Sequence, residues 1–126
     1  MIVVDENFVD RQRLKSFRIS FRQIGFEVGR SGMQDEEIIP LLIHLPRPTL
    51  FTRDRGWYER GLRHQRYSVF VLEVKPMESA TYVRRILRHP EFNSEAKRLG
   101  KIVRASHGGL TGWALNVSSE AHWSWP

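Results

Sequence analysis

Apolar residues come in short unbroken runs at the start and middle of the chain, and at helical spacing in between. Met1-Ile2-Val3-Val4 and Thr49-Leu50-Phe51-Thr52 read as buried strands, and residues 67–74 form the longest apolar strand candidate, which predicts a central position in a sheet. Leu14, Phe17, Phe21 and Ile24 recur at spacings of three, four and three, predicting one face of a helix that ends at Gly25. Phe26-Glu27-Val28 then predicts a short strand, residues 29–34 a loop, and residues 36–44 a second helix with Asp35 at or near its N-cap. Pro40 clashes inside a helix, so this one starts later than Asp35 or bends. After the turn Leu45-Pro46-Arg47-Pro48 and the next strand, residues 57–61 read as a brief helical or irregular stretch. Met77, Ala80, Val83 and Leu87 predict an apolar helix face, stopped by Pro90. Residues 101–106 and 110–115 flank His107-Gly108-Gly109, which predicts a closing β-hairpin, since glycine supplies the positive φ of a tight turn.

The alternation predicts an α/β domain with a mostly parallel central sheet, over residues 1–117, and a tail over 118–126 that is a loose end or a partner-binding strip. Twenty Lys+Arg against fourteen Asp+Glu give +6, a balance that favours polyanionic partners. The absence of cysteine excludes a disulfide framework, a zinc-thiolate site and a cysteine nucleophile, and fits a cytoplasmic protein. No stretch approaches the roughly 20 apolar residues needed to cross a bilayer, so no membrane partner is expected.

The acids carry the candidate chemistry. Asp5 and Asp54 each follow a predicted strand, on the rim where parallel sheets bind ligands, and Asp35-Glu36-Glu37 is the only acidic cluster. Brought together, they make an oxygen-ligand site for Mg²⁺ or Mn²⁺, with Asp5, Asp35, Glu36 and Asp54 as metal ligands. The middle cluster also reads as helix N-terminal electrostatics, and Asp5 and Asp54 as turn or cap acids. Glu6 is expected to face away from Asp5.

Arg11, Lys15, Arg18 and Arg22 align on the predicted first helix as a ladder of positive charge, either a solvated face or a phosphate-contact surface. Arg53, Arg55, Arg60, Arg63 and Arg66 crowd around Asp54, interleaved with Trp57, Tyr58, His64 and Tyr67, a mixture suited to single-stranded nucleic acid. The plainer reading is a charged loop with Trp57 in the core. The histidines show no ligand spacing, and neither a P-loop nor a serine hydrolase signature is present.

Val4-Asp5-Glu6-Asn7, Ile24-Gly25-Phe26-Glu27-Val28, Asp35-Glu36-Glu37-Ile38-Ile39 and Leu50-Phe51-Thr52-Arg53-Asp54, in this order and spacing, resemble the compact PIN-like domains related to the Mut7-C group. The resemblance covers residues 1–75 most closely and extends in element order to about 115. It implies a three-layer α/β/α nuclease that binds one or two divalent ions through clustered acids and hydrolyses single-stranded RNA. It further implies catalytic roles for Asp5, Asp35 and Asp54, a small antitoxin as partner, and a homodimer, while the basic residues read above, Arg11, Lys15, Arg18, Arg53, Arg55, Arg60 and Arg63, are the expected RNA contacts. The chain departs from the pattern at Gly56, where the commoner sequence has a second acid; Glu59 is the nearest substitute. One metal is therefore expected rather than two. The alternative is a catalytically silent nucleic-acid or protein-binding module on the same fold.

Overall fold

A computed structural model describes residues 1–126. Its elements are β1 (Ile2–Val4), α1 (Arg11–Ser16), β2 (Arg22–Gln23), α2 (Asp35–His44), β3 (Thr49–Thr52), β4 (Ser68–Leu72), α3 (Ser79–Arg88), α4 (Glu95–Arg98), β5 (Ile102–Ser106), β6 (Gly109–Trp113) and β7 (Ala121–Trp123). Single turns of 3₁₀ helix at Arg55–Trp57, Arg60–Leu62 and Pro76–Glu78 fill the connections. All seven strands form one mixed sheet in the order β2-β1-β3-β4-β5-β6-β7. The first five of that order pair in parallel, while β6 and β7 add an antiparallel end.

Consecutive strand residues enter opposite cores. Val4, Phe51, Phe70 and Leu72 pack with Leu14 of α1 and with Val83 and Ile86 of α3. Val3, Leu50, Val69 and Val71 pack with Ile38 and Leu42 of α2. This two-sided burial explains why β1, β3 and β4 are unbroken apolar runs: a side chain pointing either way leaves water. Strand β4, predicted to be central, is the fourth of the seven.

Four expectations are corrected. The first helix ends at Ser16, eight residues short of Ile24, in a Schellman turn: Ile19 N donates to Leu14 O (3.1 Å) and Arg18 N to Lys15 O (2.9 Å), with Arg18 at φ 60°. Phe21 and Ile24 therefore belong to the β2 segment, not to a helix face. Instead of a strand over 26–28, residues 25–27 form a turn closed by a single bridge between Ile24 and Val28. Met77 is exposed in a 3₁₀ turn, and the apolar face of α3 is instead Ala80, Tyr82, Val83 and Ile86. The terminal segment is not a loose strip: β7 pairs with β6, Trp125 Nε1 donates to Ser106 O (2.7 Å), and His89 Nε2 contacts Ser124 O at 2.8 Å.

Helix α2 runs unbroken through Pro40, in its second turn, and its N-cap Gln34 donates its backbone N–H to Glu37 Oε1 (3.3 Å). Arg98, which sequence reasoning passed over, is buried; its Nε donates to Thr49 Oγ1 (2.9 Å) and its Nη1 to Phe92 O (2.9 Å), bracing β3 against the loop before α4. No helix is long and apolar enough to cross a membrane.

Candidate functional site

Strands β1 and β3 are parallel neighbours with Val4 opposite Phe51, so Asp5 and Thr52 emerge side by side at the C-terminal rim. Thr52 Oγ1 donates to Asp5 Oδ2 (2.5 Å) and accepts from Asp54 N (3.0 Å), tying both acids to one hydroxyl. Asp54 Oδ1 accepts from Gly56 N (2.9 Å) and caps the turn Arg55–Trp57. Asp35 is the first residue of α2 rather than its cap, which is Gln34. Asp5, Asp35, Glu36 and Asp54 line one cleft of about 330 Å³, together with Glu6, Asn7 and the apolar Ile24, Ile38 and Trp57. The four predicted metal-site acids are thus brought together.

Their titration reflects that proximity. Burial raises the Asp5 carboxyl above its usual value; hydrogen bonds from the Thr52 hydroxyl and the Arg53 and Asn7 backbone hold it back, and Asp54 pushes it up further. Burial also raises Asp35, with Asp54 and Glu36 adding like-charge repulsion and the Trp57 side chain opposing them. A proton or a cation relieves that repulsion. As the side chains stand, no three acids or histidines are arranged as a finished coordination sphere. The donors are all oxygen, the type taken by a hard divalent ion that keeps several waters and needs only one or two carboxylates. The residues present fit Mg²⁺ or Mn²⁺ in that sense.

Two further residues position the cleft: Gln23, which sequence reasoning did not single out, and Glu6. Gln23, fully buried in β2, directs Nε2 to the carbonyls of Asp5, Glu6 and Phe8 at 3.1, 3.2 and 3.1 Å, so it clamps the turn that carries Asp5. Its Oε1 accepts from Arg11 Nη1 (2.9 Å). Glu6, expected to face away, lines the same cleft; its carboxylate accepts from Ser31 Oγ and from Gly32 N (2.9 Å), fixing the opposite loop. The sequence offers no clear hint of Gln23, which lies between Arg22 and Ile24 in a stretch whose apolar spacing reads as helix.

The basic residues are largely spoken for. Arg11 pairs with Glu27 (2.5 Å) and lies over Phe21 and Phe26, Arg18 occupies the Schellman turn, and Arg22 is in β2, so the charge ladder is not formed. Lys15 is exposed on α1. Arg63 donates to the carbonyls of Ala114 and Val117 (2.6 Å each), and Arg60 to Ser118 O (3.4 Å), bracing the loop before β7. Arg66 bonds Ile43 O (3.0 Å), and His64 stacks on Tyr67. Trp57 is core, forming a cleft wall. Arg53 and Arg55 stay at the rim; Arg53 Nε bonds Val74 O (2.9 Å), and Arg55 lies 3.8 Å from Glu73. Glu59 does not line the cleft.

No protein-family model, curated protein or solved structure matches the chain.

Proposed function

We propose that this chain is a divalent-metal-dependent ribonuclease, built as a three-layer α/β/α PIN-like domain, that hydrolyses phosphodiester bonds of single-stranded RNA. The observation that carries this reading is the convergence of Asp5, Asp35 and Asp54 on one cleft at the rim of parallel strands, with the carboxyls of Asp5 and Asp35 raised by burial and by the neighbouring charge of Asp54. Asp5 and Asp54 would hold Mg²⁺ or Mn²⁺, with Asp35 or Glu36 completing the set. Such an ion, when bound, acidifies a water and neutralises charge developing on the phosphate. The protein's own part is positioning. Thr52 and Gln23 fix Asp5, Gly56 N–H fixes Asp54, and Trp57 walls the cleft.

The sequence resemblance supports the same class and adds the toxin of a toxin-antitoxin pair as its setting. A silent binding module on the same fold is favoured by one observation: Asp54 already caps a turn through Gly56, at the position where a further acid would stand. Cleavage of a fluorescent single-stranded RNA with Mg²⁺ or Mn²⁺ separates the two. The parent is expected to cleave, and Asp5→Asn and Asp54→Asn to lose about 100-fold or more. Equal cleavage by parent and variants would remove the assignment.

A further inference from the structure

A second cleft of about 330 Å³ opens on the same strand rim, lined by Arg53, Arg55, Glu73, Lys75, Pro76 and His107 among others. It lies at the C-terminal ends of β3, β4 and β5, and the segment Arg53-Asp54-Arg55 forms the partition between it and the acidic cleft: Asp54 lines one side, the two arginines the other. Resting on the reading above, we propose that this basic cleft is a phosphate subsite, holding the phosphate next to the scissile one on a single-stranded nucleic acid.

Charge, shape and placement support it. Three permanent cations line the cleft against one carboxylate, Glu73, which is itself shared between Arg55 (3.8 Å) and Arg104 (3.5 Å). Arg53 is held in place by its Nε bond to Val74 O, leaving the rest of its guanidinium fork to an incoming oxygen anion. Arg55 and Lys75 are exposed. His107 Nε2 is 2.9 Å from Glu78 Oε2, so the hairpin wall is tied to the turn that follows Lys75. One acid of the cation site and two arginines that would collect an anion thus stand back to back on one three-residue segment. A polynucleotide presents both needs at once, since each phosphodiester has charged neighbours along the strand.

The test is a ¹H–¹⁵N titration of the full chain with inorganic phosphate, repeated with a short single-stranded RNA bearing or lacking a terminal phosphate. Phosphate should shift the amides of Arg53, Arg55, Lys75 and His107, the phosphorylated RNA should bind more tightly than its unphosphorylated twin, and both effects should fall about tenfold in Arg55→Gln/Lys75→Gln. Because those two side chains are exposed, melting curves should confirm that the variant remains folded. Phosphate shifts retained in Asp54→Asn support the subsite whether or not any RNA is cleaved. Shifts that are absent, or unchanged in Arg55→Gln/Lys75→Gln, overturn it even if the parent proves to be a nuclease.

Discussion

The Thr52 hydroxyl donates to the Asp5 carboxylate across the junction of two parallel strands, although the residues lie 47 positions apart in sequence. Thr52 is buried and Asp5 partly so, which makes the contact costly to lose. Thr52→Val keeps the shape, removes the donor to Asp5 and the acceptor for Asp54 N, and should cost about 1–3 kcal/mol in urea unfolding. Carboxylate NMR should show Asp5 titrating still higher, since the first of the contacts that hold it down is gone.

Asp5 also makes stability depend on pH, with a sign opposite to that of most carboxylates. Its folded pKa is raised, so below the ordinary carboxylate range, about pH 4, it is protonated in both states and contributes nothing. As pH climbs through the raised folded value, the buried charge subtracts stability. Asp5→Asn retains an acceptor for Thr52 and should melt above the parent at pH 7, the gap closing toward pH 4. Millimolar Mg²⁺ should narrow the gap at pH 7 by stabilising the parent alone. Thermal melts across pH, with and without Mg²⁺, check both points.

Arg18 sits at φ 60° in the turn that ends α1, a position where glycine carries no steric penalty. Arg18→Gly should therefore stabilise the fold by about 0.5–1 kcal/mol, read from the urea midpoint. An arginine needed for the fold would instead give a loss.

That same residue shows where the sequence misleads. Strands β1, β3 and β4 are legible because both their faces are buried, and the β5–β6 hairpin because His107-Gly108-Gly109 marks its turn. The end of α1 is illegible because an arginine adopts the left-handed conformation that normally announces itself with glycine, while Phe21 and Ile24 keep helical spacing by accident of a strand that begins nearby. At the site, Asp5, Asp35 and Asp54 could be named because each stands at the end of a readable element. Gln23 could not: its role is to satisfy three carbonyls contributed by a distant turn, and that demand exists only once β2 is laid against β1. The arginines misled for the reverse reason, since charge in sequence does not show that Arg63 is consumed by backbone carbonyls more than fifty residues away.

The proposed function stands on Asp5, Asp35 and Asp54 forming one divalent-cation site. Crystals grown with Mn²⁺ and measured at the manganese absorption edge test it most directly. An anomalous peak is expected between Asp5 and Asp54, within reach of Asp35 or Glu36 and absent in Asp54→Ala. No peak in the cleft at millimolar Mn²⁺, or a peak that persists in Asp54→Ala, would contradict it.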